Sequence, residues 1–313
     1  MILMGKPTLK ILTAKFWPVR VRASSRQVRM IRGLLAYFAL VFAALPVAAE
    51  GVSGDAVQER MSQDIAAGKP LVAHVVVALC DNKYQGIVPV PAHLGNGDDA
   101  RSNLYWGALY GVRTYFSRHD AWTRLAIGSV SNPAVLDRVA FHSQVSRHGK
   151  IVDAYLIAEA WRGREIRAAT TRFLQLVGGD AQEQYVLKDA AGEVIVAAGG
   201  SSHLIAYVGH NGLMDFASPA VSEPEEAAGP RSSVVLACRS RDYFSDLLGF
   251  KQAHGLLTTN GLMAPEAYTL EAALSAWFSG ESPSATRYSA ADAYAEYQNA
   301  DPNWSRRLFS TEE

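Results

Sequence analysis

Cysteine is scarce in this chain: Cys80 and Cys238 are the only two among 313 residues. In an exported protein an even pair reads by default as a single disulfide, so two thiols leave one bond at most to consider. The phosphate-cradling and serine-elbow motifs are missing too. No GxGxxG, no P-loop and no GxSxG occurs, which removes the usual signatures of dinucleotide, nucleoside-triphosphate and serine-hydrolase sites. Net charge is absent as well, because 30 basic and 30 acidic residues cancel. The basic excess sits in the first segment, so the remainder is mildly acidic, which argues against a nucleic-acid surface. There is no internal repeat.

Residues 1–29 contain no acidic residue. Met30-Ile31-Arg32 then leads into an apolar run over residues 33–45, followed by Pro46, Val47, Ala48, Ala49 and Glu50. A positive start, a short apolar core and small residues at the end read as a signal peptide cleaved after Ala49. The apolar run is too short for a comfortable membrane span. An uncleaved leader is the alternative, and the only route to a membrane. Met30 offers a second start site. The chain is therefore expected in the periplasm or outside the cell.

About 264 residues (313 − 49) remain, enough for one large domain. With 49% hydrophobic and 19% charged residues the composition is that of a globular protein. Punctuation and periodicity divide it into a basic leader (1–49), a linker with a short helix (50–70), an α/β domain (71–280) and a helical tail (281–313). The run 71–79 is apolar and β-branched and reads as a first central strand. A loop with Pro89, Pro91, Gly95 and Gly97 follows, then a helix over 103–116 by apolar spacing. A strand at 122–130 and a hairpin turning at residues 147–150 come next. Residues 164–177 read as a helix stopped by Gly178-Gly179, and 185–198 as a second hairpin. Apolar strands at 202–212 and 232–240, a helix at 242–249, a strand at 255–259 and a helix at 266–278 complete the domain. Alternating strands and helices imply a three-layer α/β sandwich with a mostly parallel central sheet and hairpin additions.

Open α/β sheets place their sites at the carboxyl ends of strands. Two apolar strands end on chemically capable residues. One is Ile205-Ala206-Tyr207-Val208-Gly209-His210-Asn211-Gly212; the other is Val234-Val235-Leu236-Ala237-Cys238-Arg239-Ser240. A strand ending in His and a later strand ending in Ala-Cys resemble the caspase–legumain–gingipain group of cysteine peptidases, over residues 71–280. The resemblance implies a caspase-like fold and a secreted cysteine hydrolase with Cys238 as nucleophile and His210 as base. Gly212 and Asn211 would support an oxyanion, and Asp81, Tyr84, Arg101, Thr259 and Asn260 would line the substrate cleft. Three positions depart from the group's pattern: Asn211 directly after the His, Ser240 two after the Cys, and Leu236 before Ala-Cys.

That strand order would place the His210 strand between the strands carrying Cys80 and Cys238. Their Cα atoms would stand about 9–10 Å apart, beyond the reach of a disulfide. Two alternatives stay open: an inactive binding domain on the same fold, and a disulfide-stapled envelope protein of another α/β fold. The expected partner of an active enzyme is a peptide or protein substrate, with no cofactor and no metal. Gly95–Asp99 lacks the register of a calcium loop, and His210, Asp215 and Cys238 lack standard zinc spacing.

Overall fold

The computed structural model describes residues 51–190, 192–220, 222–224 and 229–312. The leader, with its cleavage site and Met30, lies outside the described residues. In chain order the elements are α1 (Gly54–Ala66), β1 (Leu71–Ala78), α2 (Val112–Arg118), β2 (Thr123–Ile127), β3 (Val135–Arg147) and β4 (Lys150–Trp161). Then come α3 (Ile166–Gly178), β5 (Gln182–Lys188), β6 (Glu193–Gly199), β7 (Leu204–Gly209), β8 (Ser232–Leu236) and α4 (Ser240–Phe250). The chain closes with β9 (His254–Thr259), α5 (Ala267–Ser279), α6 (Pro283–Gln298), α7 (Pro302–Leu308) and β10 (Phe309–Ser310).

The strands form one sheet in the order β10-β9-β8-β7-β1-β4-β3-β2-β5-β6. Strands β1, β7, β8 and β9 are buried at every position. Strands buried at every position need a cover on both faces, and they get one. On one face Val76, Tyr207 and Val235 pack with Phe173 and Val177 of α3 and Phe244 and Leu248 of α4. On the other, Val75, Val77, Ala206 and Leu236 pack with Val57 and Met61 of α1 and Leu270, Leu274 and Trp277 of α5. The two sets alternate along each strand as the pleat requires. The expected α/β layering is therefore present.

The sheet is mixed, however, and not mostly parallel. The pairs β1–β4, β1–β7, β7–β8 and β8–β9 run parallel, whereas β2–β3, β3–β4, β2–β5, β5–β6 and β9–β10 run antiparallel. Five of nine neighbours are thus antiparallel. Tight turns join antiparallel strands by construction. At the β3–β4 turn His148 and Gly149 both take positive φ, 49° and 77°, which suits the twist of a two-residue hairpin. The hairpins are hydrogen-bonded members of the sheet, not additions to it.

The helix expected over 103–116 is also reduced, to Val112–Arg118. Residues 103–111 wind as turns against the end of β1. Asn103 organises them: its Oδ1 accepts from the Cys80 and Tyr105 N–H groups, and its Nδ2 donates to the Cys80 and Asn96 carbonyls. A Cβ on Gly107 would fall 1.9 Å from the Arg101 carbonyl oxygen, so the apolar spacing there reflects packing of turns. Residues 281–312 are tied to the sheet edge: α6 lies on α5 with Tyr297 stacked on Tyr268 at 4.3 Å, and Phe309 pairs with Thr259. Among the described residues no helix is long and apolar enough to cross a membrane.

Candidate functional site at the tips of β7 and β8

Strands β7 and β8 run parallel, and their last paired residues are Val208 and Leu236. His210 and Cys238 each lie two positions beyond that pair, so the two chemically capable residues leave neighbouring strands in register. Gly209 makes this possible. It sits at φ +151°, and a Cβ there would stand 2.6 Å from the Ala78 carbonyl oxygen. Only glycine can bring β7 this close to β1 and still turn the next residue outward. Gly209→Ala is expected to lower unfolding stability by about 1–3 kcal/mol, read as a drop in the urea midpoint.

The two tips are tied together. Asn211, fully buried, donates from Nδ2 to the Cys238 carbonyl at 2.8 Å, and its Oδ1 caps the Leu213 N–H of the turn Gly212–Met214. Tyr207 donates its hydroxyl to the His210 carbonyl at 2.8 Å. A Cβ on Gly212 would lie 2.5 Å from the tip of the Phe216 ring, which would have to shift to admit it. The N–H groups of Gly212 and Cys238 donate to no described group, whereas those of Arg239 and Ser240 go to the Gly261 carbonyl and Thr259 Oγ1.

His210 is 7% exposed, and its Nε2 lies 2.7 Å from Asp215 Oδ2. The same carboxylate oxygen accepts the Gly86 N–H at 2.9 Å. Cys238 is partly exposed; its sulfur meets the Met263 N–H at 3.4 Å and the Met263 carbonyl at 3.6 Å. No hydrogen bond joins the sulfur to the imidazole. The thiol lies two residues before the first turn of α4. Arg239 has φ +50° and closes its guanidinium on Asp242 at 2.6 and 2.9 Å, so its charge is matched locally.

Cys80 has the opposite character. It is fully buried, and burial, helped by the Asp81 charge and opposed by a Tyr105 hydrogen bond, pushes its thiol up to about 11. Both cysteines are free, and β7 runs between their strands. Tyr105 neighbours both thiols and is itself raised, first by burial and then by those sulfurs.

The other residues expected at the cleft have structural duties. Asp81 is 5% exposed, and its Oδ1 accepts from the Lys83 and Tyr84 N–H groups, closing a turn against Gly97 and Gly163. Thr259 is fully buried and exchanges hydrogen bonds with Ser240, while its hydroxyl also reaches the Ala237 carbonyl. This pairing explains Ser240, whose Oγ also donates to the Val235 carbonyl at 2.8 Å. Asn260 is bound to the carbonyls of Leu308 and Arg307. Tyr84 is half exposed beneath the Lys83 ammonium, and Arg101 is exposed beside Asp99.

Two roles escape sequence reading: that of the Met263 backbone beside the sulfur, which carries no side-chain signal, and that of the Asp215 carboxylate on the imidazole, a residue the sequence offers only as a zinc ligand without standard spacing. The second had a faint signal, being the first acidic residue after His210 in the same loop. The large cavities lie elsewhere. One of about 770 Å³ is lined by Arg60, Asp64 and His203, and one of about 740 Å³ by Arg138, Glu159 and Arg172. Among the described residues no three His, Cys, Asp or Glu side chains converge as a metal would require. Comparison of the chain with protein-family models, with curated proteins and with solved structures found no match.

Proposed function

We propose that this chain is a cysteine hydrolase of caspase-like architecture, acting on peptide or other acyl substrates, with Cys238 as nucleophile and His210 as base. The observation that carries the reading is the placement of these two residues, in register at the tips of adjacent parallel strands and cross-tied by Asn211. The strand order β1-β7-β8 agrees with the one the resemblance implies. In the proposed cycle the imidazole takes the thiol proton, and sulfur attacks the acyl carbon. The C–S bond forms as the carbonyl π pair moves to oxygen, where the N–H groups of Gly212 and Cys238 are available to receive it. On collapse the imidazolium returns the proton to the leaving amine and the C–N bond breaks. Water, deprotonated by the imidazole, then hydrolyses the thioester and regenerates the thiol.

The two cysteines provide a direct test. A thiol held near 11 by burial is neutral at pH 7, and the thiolate is the species that alkylates. Iodoacetamide at neutral pH is therefore expected to label Cys238 in the native protein and to reach Cys80 only after unfolding, read by peptide mass mapping. Labelling of Cys238 only in urea would sink the hydrolase reading. One observation favours a second reading, a binding domain on the same fold: the Met263 backbone occupies the sulfur, and neither large cavity opens at it. Export follows from the leader and is checked by the mass of the mature chain, which should begin at Glu50.

A further inference from the structure

We infer that Asp215 is the positioning residue of this site, and that it makes Nδ1 of His210 the atom that exchanges the proton with Cys238. The inference rests on the hydrolase reading for its last step, but its first step concerns the imidazole alone.

An ionised carboxylate can only accept hydrogen bonds, so the nitrogen facing it must carry the proton. Nε2 faces Asp215 Oδ2 at 2.7 Å and is therefore the N–H of the ring. Nδ1 has no described hydrogen-bond partner, yet it is not one of the buried atoms left without one, so it reaches solvent. In the neutral ring Nδ1 then holds the lone pair, which is what a base for the thiol needs. When Nδ1 takes the proton the ring becomes cationic, and Asp215 already stands opposite that charge.

Asp215 is itself held by something built for it. The loop after β1 brings the Gly86 N–H to the same oxygen at 2.9 Å. A Cβ on residue 86 would stand 2.4 Å from Asp215 Oδ1, so any larger residue there would push the carboxylate from its present position. The carboxylate, turned by one loop, turns the histidine of another. Sequence distance hides this, since Gly86 and Asp215 are 129 positions apart.

The test uses the full chain, side-chain 15N correlation spectra of His210, and the rate of Cys238 alkylation by iodoacetamide at neutral pH. The native protein is expected to show His210 as a single tautomer protonated at Nε2. Asp215→Ala is expected to give a tautomer mixture and to slow alkylation by at least about tenfold. Gly86→Ala, which displaces the carboxylate and keeps its charge, should move both readouts in the same direction and guards against misfolding of the first variant. An Nδ1-protonated native ring, or Asp215→Ala with an unchanged tautomer and rate, would overturn the inference. If His210→Ala leaves the alkylation rate untouched, the hydrolase reading fails by itself, while the spectra still report whether Asp215 sets the ring.

Discussion

Replacing Cys238 by alanine is expected to lower cleavage of a responsive fluorogenic peptide amide by at least about 10³-fold, because no second group takes over a lost nucleophile. His210→Ala should cost about 10²- to 10⁴-fold, the usual worth of a positioned base. The two effects are not additive, since each residue is useless without the other. Cys80→Ala is the control: its thiol is buried and neutral, and β7 separates its strand from that of Cys238, so turnover should hold even though some packing is lost. Equal turnover by native protein and Cys238→Ala would end the enzyme reading and leave the binding domain. The fold should survive in the variant, because the ties between the tips run through the Cys238 backbone carbonyl and the Asn211 amide, neither of which the substitution removes.

The largest stability effect is expected far from the thiol, at Glu159. This carboxylate is 2% exposed beneath α3 and the β5–β6 hairpin. Its Oε1 accepts from Arg138 Nε and Nη2 at 3.1 and 2.8 Å, and its Oε2 from Trp161 Nε1 at 3.3 Å. Arg172 Nε stands 3.8 Å away and His74 Nε2 3.7 Å away. Removing Glu159 alone leaves the mostly buried Arg138 without its counter-charge, while Arg172 keeps Glu183 at 2.7 Å. Glu159→Ala is therefore expected to cost about 3–5 kcal/mol in urea unfolding. Replacing Glu159, Arg138 and Arg172 together by apolar residues of similar volume should recover much of that loss.

The same cluster sets an acid limb. Burial by itself raises the Glu159 carboxyl, but His74, Arg172 and Arg138 outweigh it and hold the group well below the usual carboxylate range. A depressed acid contributes stability that is fully present above its unfolded value of about 4.3 and is lost as pH falls towards the folded value. Glu159→Gln should accordingly be less stable than the native protein at neutral pH, with the gap narrowing below about pH 4. A gap that stays constant down the acid limb would show that the carboxylate charge contributes nothing.

Much of the architecture could be read locally. The hairpin turn at His148-Gly149, the helix stop at Gly179, where φ is +83°, and the run 71–78 all carry signals in their own few residues. What local pattern cannot carry is the partner of each strand. Alternation marks β5 and β6 as strands, but their place at the end of the sheet depends on Tyr185, Leu187, Val196 and Ala198 covering Val72, Ala140 and Ile157, which lie far away in sequence. Residues 103–111 misled for a related reason: helical spacing arose from turns that Asn103 pins to Cys80. Asn211 and Ser240, departures from the family pattern in sequence, gain a purpose only in three dimensions, where one ties the strand tips together and the other locks α4 to β9.

The sequence by itself determined that two apolar strands end at His210 and Cys238, because burial and strand propensity are properties of short segments. It also carried the leader pattern and the placement of Cys80 and Cys238 at the ends of two different strands; that Cys80 is fully buried came from the structure. Only the tertiary structure decided that the two tips are neighbours in register, that β7 separates the two thiols, and that Asp215 and Gly86 converge on the imidazole. Strand order and loop convergence are settled by which surfaces bury each other, and that sum runs over contacts distant along the chain.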